Sequence, residues 1–222
     1  MDPRHRELAR IGLAATQGYG FALAGGYALA AHGLVDRATE DVDLFTNHLD
    51  PDEFTRAVEA ISVAFTQAGH PVTVVRRAEL YARLHAGQDD PVQVELAYDW
   101  RSENPARFDI GPVLDRDDVV AGKVLALWGR QEARDYIDVH AALASGEYTE
   151  GDLLRLAQRA DAGFDQHTFG QALLGVDHTQ DADFVIYGVG VHDLVVLRNR
   201  LRSWGEVLAS DAGTETAAPK NG

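Results

Sequence analysis

The feature that most constrains this chain is a pair of aspartates, Asp41 and Asp43, at the start of an apolar segment that ends at Thr46. If this segment is a strand, residues two apart share a face. Both carboxylates then point the same way, while Val42 and Leu44 enter the core. Two carboxylates held side by side repel each other unless a cation lies between them. The pair therefore predicts a divalent-metal site carried by a strand.

A glycine pair lies a short connection before these aspartates. Gly25 and Gly26 follow the apolar run Phe21–Ala24 and open an alanine-rich segment that ends at Gly33. This order predicts a strand, a turn and a helix whose first backbone N–H groups face an anion. With Tyr27 next to the glycines, this segment is the predicted phosphate-binding element. A metal site beside a phosphate site is what nucleotide phosphoryl transfer requires.

A third carboxylate completes many phosphoryl-transfer metal sites. Glu95 lies in the middle of a strand predicted at Pro91–Tyr98, and we expect it to be the third metal ligand. Asp99, just past the end of that strand, is the alternative. A solvent-facing strand residue remains an equally good interpretation of Glu95.

Lys123 is one of only two lysines, the other being Lys220, in a chain that otherwise takes its positive charge from arginine. A lysine ammonium is a compact point charge that fits beside a phosphate. Arg134 and Asp138 are four residues apart and share a helical face. We expect Lys123 and Arg134 to contact a triphosphate. We also expect Asp138 to orient the nucleotide or to act as a base on the acceptor hydroxyl, the alternative being a surface ion pair.

The order of patterns predicts an α/β (α+β) fold with a mixed sheet, flanking helices and a C-terminal helical bundle. Strands and helices alternate up to Tyr98, residues 101–112 are typical of a loop, and helical patterns follow Leu114, with Asp181–Tyr187 as an extended alternative. The predicted division is an α/β core at 1–112, a helical half at 113–209 packed on it, and a disordered tail at 210–222.

Composition restricts the functional classes. The net charge of −15 argues against broad, non-specific binding of nucleic acid, which depends on lysine and arginine, but it leaves local RNA contacts open. The chain has no cysteine and no apolar run long enough to span a membrane, so we expect a cytoplasmic protein. There is no G-x-x-x-x-G-K-[ST] sequence, which argues against a P-loop kinase or ATPase.

The four motifs together resemble a known family. Gly25-Gly26, the D-V-D sequence at 41–43, the G-K pair ending at Lys123, and the R-D-Y-I-D sequence ending at Asp138 are similar to the AbiEii/AbiGii (MenT-type) nucleotidyltransferase toxins. These belong to the DNA polymerase β-like nucleotidyltransferase superfamily. The glycines and the aspartate pair fit the whole superfamily, and the lysine and R-D-x-x-D positions narrow the match to this family.

The resemblance implies a fold, an activity and roles. The sheet would be of the nucleotidyltransferase type, Asp41 and Asp43 would bind the catalytic Mg²⁺ (or Mn²⁺), and Lys123 and Asp138 would take the family's lysine and last aspartate positions. The reaction would move a nucleotidyl group from an NTP and release pyrophosphate. The partners would be an RNA acceptor, with tRNA the expected one, and a cognate antitoxin protein.

The chain departs from the family at Tyr27, where most members have serine or threonine. A short hydroxyl for phosphate binding is therefore missing. Thr39, two residues before Asp41, suggests a regulatory hypothesis, since a phosphate on it would add negative charge beside the metal site and block triphosphate binding. Two other functions stay open: an aminoglycoside-type small-molecule nucleotidyltransferase, which the acidity of the chain favours, and a non-catalytic nucleotide-binding module.

Overall fold

The computed structural model describes residues 1–210, and the chain divides into two compact units between Val119 and Val120. The predicted division at 112/113, with the helical half packed on the core, stays a prediction. The division in the structure lies inside the helix Arg116–Arg130. Of the predicted tail, 211–222 lie outside the described residues, and Ser210 is the last residue of a helix.

The first unit contains a mixed sheet of seven strands in the order β3-β4-β5-β2-β1-β7-β6. β2 runs parallel to β5 and β1 parallel to β7, and the other neighbouring pairs are antiparallel. This confirms the predicted mixed α/β fold. The strands are β1 (Ala22–Leu23), β2 (Asp41–Thr46), β3 (Val72–Ala78), β4 (Tyr81–Ala86), β5 (Val92–Tyr98), β6 (Ala106–Phe108) and β7 (Gly111–Val113).

Two helices, α1 (Pro3–Ala15) and α3 (Pro51–Gln67), pack on one face of this sheet and leave the other face uncovered. A third helix, α2 (Gly25–Ala31), begins against Asp43 of β2. α1 lies directly on β2, since a Cβ added to Gly12 would lie 2.6 Å from Leu44 Cδ1. Val42 and Leu44 are fully buried on this covered face. Asp41 and Asp43, which alternate with them, consequently lie on the opposite face.

The loop predicted for residues 101–112 is wrong. The segment contains β6 and most of β7, which form a hairpin, and Leu23 of β1 pairs with Val113 of β7. Strands of three residues are too short to show alternation, and Pro112 argued against one. The pairing is a tertiary one, in which Leu114 N–H donates to Leu23 O at 2.9 Å.

Helices alone make up the second unit over its described residues. Gly170 and Gly205 lie where two of them cross, and a Cβ on Gly205 would lie only 2.9 Å from Gly170 O, so glycine permits close packing. Asp181–Val185 is helical, so the extended alternative there is wrong. The helices are α4 (Arg116–Arg130), which begins in the first unit, α5 (Ala133–Ala144), α6 (Glu150–Ala160), α7 (Gln166–Leu174), a 3₁₀ turn (Gly175–Asp177), α8 (Asp181–Val185) and α9 (Val191–Ser210).

Across residues 1–210 no helix has both the length and the apolar character that a membrane crossing demands.

Candidate active site

The uncovered face of β2 carries the aspartate pair. Asp41 and Asp43 are half-buried, while Val42 between them has no exposure. β5 runs beside β2 in register, with Gln93 next to Asp41 and Glu95 next to Asp43. Three carboxylates therefore share one patch of the sheet, where neighbouring strands lie about 4.8 Å apart.

Gly25 lies directly under the Asp43 carboxylate. A Cβ on Gly25 would lie 1.7 Å from Asp43 Oδ2, and the residue has a φ of +62°, which L side chains rarely adopt. Ala24 N–H donates to Asp43 O at 2.9 Å, which fixes the start of α2 against β2. Position 25 therefore requires glycine for two reasons. Its backbone has a positive φ, and the Asp43 carboxylate leaves no space for a Cβ.

Gly26 lies against the segment that leads into β2. A Cβ there would lie 2.8 Å from Thr39 Oγ1 and 3.3 Å from Arg37 Nη2. The Arg37 guanidinium therefore borders the first turn of α2, a contact that sequence reasoning missed. The sequence feature that could have indicated this contact is an arginine four residues before Asp41. The Thr39 hydroxyl is buried and has no hydrogen-bond partner among residues 1–210, so a phosphate on it requires this segment to move. Regulation through Thr39 stays a prediction.

The buried Tyr27 ties three elements together. Its hydroxyl donates to Thr39 O at 3.0 Å and lies 2.5 Å from His5 Nδ1 of α1. Burial raises the pKa of Tyr27 and lowers the pKa of His5, which favours the neutral form of both groups. The tyrosine hydroxyl therefore anchors the segment before Asp41 to two helices. Because the Tyr27 hydroxyl is engaged in these contacts, we assign the predicted nucleotide contact of Tyr27 to its backbone N–H.

Glu95 is engaged by an arginine of the next strand. Arg83 lies directly opposite it, with Nη2 at 2.7 Å and Nε at 2.9 Å from Glu95 Oε1, and Gln93 Nε2 lies 3.0 Å from the same oxygen. The carboxylate raises the pKa of the Arg83 guanidinium. Asp99 lies four residues beyond Glu95, about 13 Å along the strand from the level of Asp43. Of the two alternatives, Glu95 is the one beside the aspartate pair.

In the second unit, Lys123 and Asp138 form a buried ion pair. Lys123 Nζ of α4 lies 2.9 Å from Asp138 Oδ2 of α5, and the Asp138 side chain has no exposure. An ammonium placed this way neutralises a carboxylate that has been removed from water. Lys123 is therefore a partner of Asp138, which the sequence did not predict.

The other charged residues of the R-D-x-x-D sequence hold the start of α5. Asp135 is fully buried and accepts two hydrogen bonds from Arg130, at 2.9 and 2.7 Å, and one from Glu132 N at 3.1 Å. Arg134 Nε lies 2.8 Å from Glu132 Oε2. Asp135 thus supplies the N3 side chain of a capping box whose N-cap residue is Glu132. The predicted nucleotide contact of Arg134 stays a prediction.

Comparison with known proteins identifies the family. The family model described as nucleotidyl transferase AbiEii toxin, type IV TA system, matches residues 7–176, a range that contains all of the candidate site residues. The chain belongs to the AbiEii toxin family. It is accordingly a nucleotidyltransferase, which confirms the resemblance inferred from its four motifs. No curated protein sequence matches this chain.

Solved structures share the fold of this AbiEii toxin at low sequence identity. MenT4, a nucleotidyltransferase toxin of Mycobacterium tuberculosis H37Rv, is 16% identical, with a TM-score of 0.62 and coverage of 95% of this chain and 85% of that chain. A putative nucleotidyltransferase of Helicobacter pylori is 17% identical, with a TM-score of 0.57 and coverage of 98% and 100%. JHP933 of Helicobacter pylori is 16% identical, with a TM-score of 0.54 and coverage of 96% and 94%.

The aspartates of this AbiEii toxin fit a divalent cation that a nucleotide helps to hold. Among residues 1–210 there is no group of three His, Asp or Glu side chains arranged as a metal site. Mg²⁺, however, binds through one or two carboxylates together with water and substrate phosphates. Asp41 and Asp43 supply those two carboxylates, whereas the Glu95 carboxylate is paired with Arg83. The donor set is therefore that of a site completed by the substrate.

Proposed function

We propose that this AbiEii toxin transfers a nucleoside monophosphate from an NTP to RNA, with the 3′ end of tRNA as acceptor and Mg²⁺ as cofactor. The observation that carries the proposal is the Asp41–Asp43 pair on the uncovered face of β2, with Asp43 against Gly25. The proposal includes Mg²⁺ (or Mn²⁺) as the cation, the RNA acceptor, a cognate antitoxin and a cytoplasmic location.

The donor is held by charges and backbone groups of the first unit. Asp41 and Asp43 hold the cation, which when bound stabilises the negative charge of the triphosphate. Gly25, Gly26 and Tyr27 form the first turn of α2, where backbone N–H groups lack intrahelical acceptors. The Arg37 guanidinium beside Gly26 adds positive charge there. Glu95, whose carboxylate pairs with Arg83, would be the third ligand in this proposal.

The chemistry is a displacement at the α-phosphorus of the NTP. The acceptor hydroxyl oxygen forms a bond to that phosphorus, the bond to the bridging oxygen breaks, and pyrophosphate leaves with the bonding electrons while the hydroxyl proton is released. The residues act mainly by positioning the donor and by balancing charge, as is general for phosphoryl transfer. In this proposal Asp138 also orients the nucleotide or acts as a base on the acceptor hydroxyl. Lys123 contacts the triphosphate.

One assay separates this function from its two alternatives. The protein is incubated with α-labelled NTPs, Mg²⁺ and total RNA, with Asp41→Ala as the control variant. Label on RNA that the variant loses supports the proposal. Label only on an added aminoglycoside supports the small-molecule enzyme, which the charge of −15 favours. NTP binding without transfer to either acceptor identifies a non-catalytic module.

The Lys123–Asp138 pair gives a prediction about stability. Asp138→Asn leaves the Lys123 ammonium buried without its charge partner, so we expect the free energy of unfolding to fall by about 3–5 kcal/mol. The double variant Lys123→Met/Asp138→Leu removes both charges and should recover most of that loss. Chemical denaturation followed by circular dichroism measures both changes, and the transfer assay reports whether the recovered protein is active.

An exposed ion pair supplies the control for this prediction. Arg155 pairs with Asp152 on the surface of α6, and Arg155→Met should cost less than about 1 kcal/mol. A double variant that is stable but inactive supports a role of Lys123 and Asp138 in transfer. A double variant that is both stable and active assigns the pair to folding alone and removes it from the proposed mechanism.

A further inference from the structure

A row of charged side chains crosses four strands on the uncovered face of the sheet. Asp43 pairs in register with Glu95, Glu95 with Arg83, and Arg83 with Arg76 of the edge strand β3. Residues directly opposite each other on paired strands lie on the same face. The row therefore begins at the candidate metal site with two carboxylates and ends at the sheet edge with two arginines.

A β-bulge places Arg76 on this face. Val74 pairs with Leu84 and Arg76 pairs with Arg83, so Val75 is the extra residue between the two pairs. In an unbroken ladder, Val75 would lie opposite Arg83 and Arg76 would lie on the other face. Bulges commonly re-aim a side chain beside a functional site. Because of the bulge, the residue opposite Arg83, on the same face as Asp43, is Arg76 and not Val75.

Two like charges directly opposite each other on paired strands are destabilising. Arg83 is neutralised by Glu95. Among residues 1–210, Arg76 has no ion pair. The contact that Arg76 does make is with Tyr81, whose ring centroid lies 5.5 Å from the arginine Cζ. The remaining positive charge is exposed, on the same face as the carboxylates of an otherwise acidic chain.

We propose that Arg76, held over Tyr81, binds a phosphodiester of the acceptor RNA. The inference rests on the proposed function and adds the surface that guides the acceptor to the aspartates. Arg76 lies three strand spacings from Asp43, about 14 Å, so it contacts the acceptor at a distance from the reacting end. A local arginine gives an acidic protein a phosphate contact without broad, non-specific attraction to nucleic acid.

The test compares Arg76→Ala with Arg77→Ala. Arg77 is an exposed arginine of the same strand, but it lies opposite Ala82 on the other face, so it is a matched control for charge and position. We expect Arg76→Ala to raise KM for tRNA about tenfold, the size of one charge-assisted contact, and to leave KM for the NTP and kcat unchanged. Arg77→Ala should leave all three unchanged, and Arg76→Lys should recover most of the affinity.

Binding measured without turnover separates this inference from the proposed function. Fluorescence anisotropy with tRNA that lacks its terminal hydroxyl gives Kd at several salt concentrations. Loss of Arg76 should weaken binding about tenfold and reduce the slope of log Kd against log salt by about 0.7–1. Wild-type protein that binds tRNA through Arg76 but labels no RNA contradicts the proposed function and supports this inference.

Three results would overturn the inference. One is an Arg76→Ala variant that binds tRNA as wild type does, because the arginine would then only protect an exposed sheet edge from association. Another is equal weakening by Arg76→Ala and Arg77→Ala, which means that net charge matters and the face does not. The third is wild-type protein that shows no binding to tRNA. Thermal unfolding of each variant confirms that the sheet remains folded.

Discussion

We expect Asp43→Asn to lower kcat for nucleotidyl transfer about a thousandfold and to leave the protein folded. The substitution keeps the shape of the side chain and removes the charge that lies beside Asp41 and against Gly25. A metal site contributes several kcal/mol to stabilising the transition state, and each tenfold in rate corresponds to about 1.4 kcal/mol. Single-turnover assays with labelled NTP measure the loss, and far-UV circular dichroism with a melting curve establishes that the fold persists.

Glu40→Gln is the matched control for Asp43→Asn. Glu40 is exposed and immediately precedes β2, and its replacement removes the same unit of charge close to the site. If the rate follows the general electrostatic field, the two variants will lose activity to a similar degree. If the rate depends on the Asp43 carboxylate itself, Glu40→Gln will have the activity of the wild type. An Asp43→Asn variant with more than a tenth of wild-type kcat would contradict the assignment of Asp43.

The centre of the site was predictable because it is local in sequence. The strand predicted at 41–46 occupies the same residues as β2, since alternation of charged and apolar side chains fixes both the strand and the faces. The start of α2 at Gly25 was predicted within one residue, because glycines after a short apolar run indicate a turn. The sequence therefore predicts, from about twenty residues, that the carboxylates and the first turn of α2 are adjacent.

The pairings across the fold were not predictable, because each joins residues far apart in the chain. Nothing in the sequence around Arg76 indicates the bulge that places it on the same face as Asp43, since register is decided by the partner strand. Likewise, Lys123 and Asp138 show helical spacing within their own helices but carry no sign of the contact between them. The same limitation hid β7, whose three residues become a strand by pairing with β1.

Tyr27 shows how a departure from a family pattern gains a physical meaning only in the structure. The sequence showed only that a short hydroxyl for phosphate binding is missing beside the glycines. In the structure the tyrosine hydroxyl contacts Thr39 O and His5 Nδ1, so the side chain braces the segment that leads to Asp41. The residue therefore acts on the position of the aspartate pair, and the Arg37 guanidinium beside Gly26 is the group that we propose for the phosphate contact.

Gly25→Ala is expected to reduce transfer at least a hundredfold by displacing the Asp43 carboxylate. The new Cβ would lie 1.7 Å from Asp43 Oδ2, so the aspartate must move. Gly33→Ala is the control, because Gly33 has a similar positive φ of +75° but open space around it. Both variants carry the backbone strain of alanine at positive φ, about 1 kcal/mol in unfolding free energy, and Gly25→Ala carries the clash as well. Gly33→Ala should retain wild-type kcat.

The double variant Gly25→Ala/Asp43→Asn tests whether the glycine acts through the aspartate. If its effect on the rate passes through the Asp43 carboxylate, kcat of the double variant equals that of Asp43→Asn, because that interaction has already been lost. Multiplying effects would instead show that Gly25 contributes separately, through the backbone N–H groups at the start of α2. Wild-type kcat in Gly25→Ala would contradict both routes. The two outcomes thus divide donor binding between the metal site and the first turn of α2.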